Sequence, residues 1–162
     1  MRSWGKAPPN VIIDLSPIAQ LSGRPSWDWL DATVAAWREQ RDSTARFYGV
    51  ADNSLWYKLD EVGKRRLSEW KRNRRARSVS WADPEVLEIA TRLETASVLT
   101  TDLYRDQRRD FPWLQGTDRI WKPIVGDGSI RFEQLDFIPI PDEEISWRIE
   151  EARLTPKGFK TP

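Results

Sequence analysis

Short apolar runs alternate along this chain with stretches whose apolar residues recur at helical spacing, and that alternation constrains the fold more than any other feature. Asn10-Val11-Ile12-Ile13-Asp14 reads as a buried strand ending in a carboxylate. Trp27, Leu30, Val34 and Trp37 then predict an amphipathic helix over about 27–40. Residues 45–50 suit a second strand, Leu55, Leu59 and Val62 continue helically into a basic run, and Val79 falls in a short strand. Val86, Ile89, Ala90 and Leu93 mark another helix, followed by a strand over 97–101. Residues 119–125 and 129–132 read as two strands joined at Gly126-Asp127-Gly128, and Ile145, Ile149 and Ala152 mark a last helix. Strands alternating with helices predict an α/β domain with a mostly parallel central sheet and helices on both faces. The chain's 162 residues allow one such domain, over 1–153, with 154–162 as a tail or linker.

Composition narrows the chemistry. There is no His and no Cys, which removes Ser-His-Asp and Cys-His catalysis, imidazole bases, thiol redox work, disulfides and zinc sites built on those ligands. Asp and Glu total 25, so a hard cation held by oxygen ligands is the chemistry to look for. With 39% hydrophobic and 31% charged residues the chain reads as soluble and globular. It contains no apolar run near the roughly 20 residues of a membrane span, and its start lacks the apolar core of a secretory signal, so a cytoplasmic protein is expected. The net charge of +1 conceals a division. Residues 64–77 hold eight basic side chains against Glu69, a local +7, and the remaining 18 basic and 24 acidic residues leave −6.

In open α/β sheets ligands bind beyond the carboxyl ends of the strands. Asp14 follows the first strand, Asp83 precedes the helix at Pro84, and Asp102 follows the strand over 97–101. Asp106 is four residues beyond Asp102, on the same face if a helical turn joins them. Structural readings stand beside these: Asp83 before Pro84-Glu85 as a helix N-cap, Asp102 as the cap of a turn at Leu103, Asp106 as an exposed ion pair. Acids that converge repel one another, and a bound Mg²⁺ or Mn²⁺ resolves that repulsion.

Three segments carry a resemblance: Val11-Ile12-Ile13-Asp14-Leu15-Ser16-Pro17-Ile18-Ala19, the Trp81-Ala82-Asp83-Pro84 stretch through Ala90, and Val98 through Thr101-Asp102-Leu103-Tyr104-Arg105-Asp106. Their order and spacing over about 10–133 resemble the NYN branch of the PIN-like nucleases, and within it the Regnase-type (Zc3h12-like) ribonuclease domain. The resemblance implies a three-layer α/β/α sandwich and Mg²⁺- or Mn²⁺-dependent hydrolysis of RNA phosphodiesters. Carried over position by position, Asp14, Asp83, Asp102 and Asp106 form its acidic cluster, the first three being metal-binding. Ser16 matches a polar residue beside the first Asp. Three positions depart from the pattern: Ala82 replaces the first member of an Asp pair, Pro17 replaces an Asn that helps orient the site, and Leu15 replaces a Gly.

The expected function is therefore an endoribonuclease, a candidate toxin or defence effector, leaving 5′-phosphate and 3′-hydroxyl ends. Asp106 is expected to orient or deprotonate the attacking water. Without His, the 2′-hydroxyl cyclisation route is not expected. An acidic centre cannot hold a polyanion alone, so Lys64, Arg65, Lys71, Arg72, Arg74 and Arg75, with Arg105 and Arg108 beside the site, are the candidate phosphate contacts, and Ser16 is a further candidate nucleic-acid contact. Trp70 and Trp81 are candidate base-stacking residues, although Trp70 packed inward under a solvated basic helix face is the structural alternative; Trp113 is expected in the core. Single-stranded RNA is the expected partner, with an inhibitor protein or a second copy of the chain as further candidates and no membrane. Rival readings are a catalytically weak RNA-binding scaffold, favoured by Ala82 and Pro17, and a DNA-directed nuclease.

Overall fold

The first apolar run forms β1 (Val11–Asp14), in which every residue is buried, as in a strand covered on both faces. Its side chains alternate: Val11 and Ile13 join one apolar cluster and Ile12 joins the other. In the computed structural model Trp4 and residues 7–135 are described, so the expected helix around Ile145 and the expected 154–162 tail lie outside the described residues.

After β1 come α1 (Leu15–Ala19), α2 (Asp28–Gln40), β2 (Phe47–Asp52), α3 (Leu55–Lys58), α4 (Glu61–Arg72), β3 (Ala76–Val79) and α5 (Ala82–Arg92). Then follow β4 (Ser97–Leu99), two short 3₁₀ turns, β5 (Ile120–Gly126) and β6 (Ser129–Gln134). The sheet order is β3-β2-β1-β4-β5-β6, parallel except for β6. Strand order reverses between β1 and β4, so this junction is the switch point where ligands bind in such sheets.

One face of the sheet is covered by α1–α4 through Leu15, Leu30, Trp37, Leu55, Leu67 and Trp70, and the other by α5 through Val86, Leu87 and Ala90. This is the expected α/β/α arrangement. Trp70 is 4% exposed and meets Trp27 edge-on at 5.5 Å, so it belongs to the core and offers no face to a base. Trp113 is partly buried against the second cluster and donates through Nε1 to Thr91 Oγ1 at 2.9 Å. Among the described residues no helix is long and apolar enough to cross a membrane.

Four local expectations are corrected. The second strand runs to Asp52, two residues past the expected end. The helix from Leu55 does not continue into the basic run: Leu59 is extended, and Asp60 Oδ1 accepts from Gly63 N at 2.7 Å, capping a separate α4 and leaving Val62 57% exposed. The basic run is accordingly no single arm but a helix, a reversal and a strand. Helix α5 starts one residue before Asp83, with Trp81 at the N-cap position, so the cap role expected for Asp83 is absent. Finally, Asp102 and Asp106 do not share a helical turn, because Tyr104 between them is left-handed (φ 50°) and only a 3₁₀ turn, Arg105–Gln107, follows. The closing hairpin is as expected: Asp127 (φ 51°) and Gly128 (φ 73°) make a two-residue turn with both residues left-handed.

Candidate active site

The carboxyl ends of β1, β2 and β4, the start of α5 and the loop after β4 surround a cavity of about 1100 Å³. Asp14, Asp52, Asp83, Asp102 and Asp106 line it, together with Ser16, Pro17, Asn53, Trp81 and Arg105. Each acid arrives from a different local cause. Asp14 ends β1 and is 2% exposed. Asp83 lies in the first turn of α5, where the helix dipole favours a negative charge. Asp102 is fixed by a turn in which its Oδ1 accepts from Tyr104 N at 2.8 Å, so the expected cap at this position exists and still leaves the residue on the cavity wall. Asp106 is exposed on the 3₁₀ turn.

Buried polar partners hold Asp14 in place. Its Oδ2 accepts from Thr100 Oγ1 at 3.0 Å and from the Tyr104 hydroxyl at 3.3 Å. Thr100 Oγ1 in turn accepts from Asp102 N at 3.0 Å, linking two acids through one hydroxyl. Burial pushes the Asp14 carboxyl up to about 7, with Asp83 and Asp102 adding to the rise against the two hydroxyl bonds. Burial also pushes Asp83 up; its hydrogen bond to the Asp102 carboxyl and the charges of Asp102, Asp106 and Asp52 act in the same sense. Two hydrogen-bonded carboxyls must share a proton unless a cation replaces it.

Asp52 was not among the residues picked out by sequence. It is the last residue of β2, two residues beyond Val50, the partner of Asp14 across the β1–β2 pair. Burial raises its carboxyl, but hydrogen bonds from Ser54 and Ser16 outweigh that and hold it below the ordinary range. Its backbone N donates to Ser16 Oγ at 3.1 Å. The available signal was an acid directly after a buried run, the same pattern that singled out Asp14.

The basic candidates separate. Arg105 lines the cavity; Ser16 does so as well, though it is 5% exposed and engaged with Asp52. Lys64, Arg65, Lys71, Arg72 and Arg108 are not among the lining residues. Helix α4 leaves the carboxyl edge of the sheet and returns the chain to the amino edge for β3, so Arg74 and Arg75 reach a different cavity altogether. Within the run, Arg66 is paired with Asp31 at 2.8 Å and Arg77 with Glu85 at 2.9 Å. Trp81, 65% exposed, is the aromatic residue on the cavity rim.

Fit to a divalent cation has two sides. Uncompensated carboxyls that burial and mutual repulsion keep protonated are the donor set of a hard cation. Among the described residues, no three carboxylates are gathered closely enough to ligate one ion together. Mg²⁺ commonly takes one or two carboxylates and retains water for its remaining positions, which this arrangement can supply. Ala82 is 6% exposed and belongs to the apolar cluster of Val86 and Ile89, yet it also lines the acidic cavity, where its methyl supplies no oxygen ligand.

No protein-family model matches the sequence, and no curated protein sequence matches it. Solved structures do. A crystal structure of nuclear proteinaceous RNase P 2 (PRORP2) from A. thaliana superposes with a TM-score of 0.61 at 13% identity, over 81% of this chain and 31% of that one. A second structure of the Arabidopsis thaliana nuclear protein-only RNase P 2 gives 0.59 at 17% identity, over 82% and 31%. The PIN domain endonuclease Utp24 gives 0.40 at 18% identity, over 80% and 95%. The fold is thus one that this chain shares with a part of that RNase P, and it spans 31% of the length of the RNase P chain it superposes on.

Proposed function

We propose that the chain is a divalent-metal-dependent endoribonuclease of the NYN kind, related to the Regnase branch, cutting single-stranded RNA to 5′-phosphate and 3′-hydroxyl ends. The observation that carries this reading is the convergence of five Asp on one cavity at the switch point of the sheet. Asp14, Asp83 and Asp102 would hold Mg²⁺ or Mn²⁺, no more than two of them directly and the rest through water kept on the ion. The ion, when bound, supplies positive charge and Lewis acidity at the phosphate. Asp106, exposed on the rim, orients or deprotonates the attacking water. Thr100 and Tyr104 hold the Asp14 carboxylate in one orientation. Arg105 contacts a phosphate, and the exposed face of Trp81 stacks on an unpaired base. A toxin or defence role and a cytoplasmic location fit this activity.

A labelled single-stranded RNA and its DNA counterpart, incubated with Mn²⁺ or with EDTA, test the reading. RNA cleavage that requires Mn²⁺ and drops at least about a hundredfold in Asp14→Asn is expected, the scale on which removing a preorganised charged group acts. Cleavage that survives EDTA, or is unchanged in Asp14→Asn, would sink it. The second reading, an RNA-binding domain of weak activity, is favoured by the buried Ala82 and by Pro17 on the cavity wall; it predicts salt-sensitive RNA binding without cleavage. Preferential cutting of the DNA strand would instead identify a DNA-directed nuclease.

A further inference from the structure

We propose that an arginine-lined cavity on the amino edge of the sheet is a second binding site, holding phosphates of a single-stranded RNA outside the candidate active site. The inference rests on the RNA reading above and adds a location and a length requirement to it.

The cavity has a volume of about 590 Å³, and Arg38, Arg46, Arg74 and Arg75 line it together with Phe47 and Tyr48. It opens at the start of β2 and just before β3, whereas the five Asp lie at the opposite ends of the strands. A six-residue strand such as β2 separates the two places by about 20 Å. The four arginines come from α2, from the loop before β2 and from the reversal after α4. Among the described residues none of the four has a carboxylate oxygen within 4.0 Å. Asp42, whose carboxyl is lowered mainly by its bonds from Thr44, also feels the charge of Arg46. Their hydrogen bonds go to carbonyls: Arg38 Nη2 to Ala45 O at 3.1 Å, and Arg46 Nε to Pro8 O at 2.8 Å. Their flat faces lie on aromatic rings, Arg38 over Phe47 at 5.1 Å and Arg75 over Trp70 at 4.1 Å. Guanidinium groups fixed in this way present their remaining N–H groups to a planar or tetrahedral anion at little further ordering cost.

Electrostatics and backbone both show that the arrangement is maintained against a cost. Burial, then the charges of Arg38 and Arg66, push the Arg75 guanidinium below its ordinary value. Arg74 has φ 59°, at the position where a helix reversal of this type ordinarily carries glycine. The reversal itself is complete, with Arg75 N donating to Trp70 O at 2.7 Å and Arg74 N to Lys71 O at 3.1 Å. Arginine therefore occupies a place that favours glycine, and its charge is what glycine would not supply. A chain of phosphates is favoured over a lone anion because exposed Arg65, Lys71 and Arg72 on α4 continue from this cavity toward the carboxyl edge. That helix of 12 residues is about 18 Å long.

The test compares full-length protein with Arg46→Gln/Arg74→Gly, measuring fluorescence anisotropy of labelled oligouridylates in EDTA across a salt series. The probes are about 4 and about 16 nucleotides long, the two ends of the footprints that single-strand binding folds cover. Weaker binding of the long oligomer is expected, with its salt slope reduced by about 1.4 for two lost phosphate contacts. Binding and Mn²⁺-dependent cleavage of the short oligomer are expected to stay unchanged. Arg74→Gly alone should melt no lower than wild type, because glycine suits the left-handed backbone, so lost binding cannot be attributed to lost folding. Unchanged long-oligomer affinity and slope, or equal losses for both lengths, would overturn the second site. If wild type binds neither oligomer, the RNA reading falls with it; if wild type cleaves while the variant binds normally, the second site alone falls.

Discussion

At Leu15, one of the departures from the pattern that the sequence resembles, a buried side chain lies over Gly49 of β2. A Cβ built on Gly49 would sit 2.7 Å from Leu15 Cδ1 and 2.8 Å from Cγ, closer than such atoms approach. Leu15 is fully buried and directly follows Asp14, so pressure on it reaches the site. The departure at residue 15 is thus matched by the absence of a side chain at residue 49. Gly49→Ala should destabilise the fold by about 1–3 kcal/mol, as overpacking of a filled core does. Adding Leu15→Ala should recover part of that loss. Urea unfolding of the two single variants and the double measures the coupling, and strict additivity would show that the two residues do not meet in the way described.

Among the elements, α4 depends most visibly on one side chain. Its apolar residues Leu67 and Trp70 face the core, while its start relies on the bond from Gly63 N to Asp60 Oδ1. Asp60→Ala should therefore cost about 1 kcal/mol and Asp60→Ser much less; equal losses in thermal melts would refute the cap. The same element shows why some of the architecture was readable and some was not. A continuous apolar run identifies β1, helical spacing identifies α2 and α5, and the Gly126-Asp127-Gly128 turn marks the closing hairpin, because burial and turn geometry select those patterns directly. Leu55, Leu59 and Val62 satisfy helical spacing too, yet Asp60 offers the backbone a better partner and splits the helix. Asp102 and Asp106 have the four-residue spacing of a helix face, but Asp102 bonds to Tyr104 N and turns the chain first. Asp14, Asp83 and Asp102 could be picked out because acids at strand ends and helix starts are local signals. Asp52 was missed by a two-residue error in where β2 stops, and strand ends carry no periodicity to mark them. That the basic run ends at the opposite edge from the acids follows from the direction of the α4 crossover, which spacing alone does not report.

Across the whole molecule, protons and stability are linked through Asp14, and a divalent cation held as proposed would join that linkage. Its carboxyl titrates at about 7 in the folded protein, against an ordinary value of 3.8. Between those values the folded state keeps a proton that the unfolded chain has released, so stability falls as pH rises through this window and the loss is complete above about 7. For a group only 2% exposed, the difference corresponds to an order of 4 kcal/mol. Asp42 and Asp52 are shifted downward, so the stability they contribute is present above their ordinary value and is lost only as pH falls through and below it, outside this window. In EDTA, wild type should therefore melt at a lower temperature near pH 8 than near pH 5. Asp14→Asn, which has no charge to bury, should weaken that dependence, leaving the part that Asp83 contributes by its own rise in the same window, and should melt above wild type near pH 8 by several degrees, as about 2–4 °C per kcal/mol implies for a domain of this size. On the proposed metal-dependent reading, a divalent cation would compete with the proton for the same carboxyls. Mn²⁺ should raise the melting temperature of wild type more near pH 8 than near pH 5, by ordinary binding linkage, and should leave Asp14→Asn almost unmoved. Calorimetry of both proteins at the two pH values, with Mn²⁺ and with EDTA, measures all of this together. If Asp14→Asn melts below wild type near pH 8 in EDTA with the same pH dependence, Asp14 is neither the strained acid nor the cation's anchor.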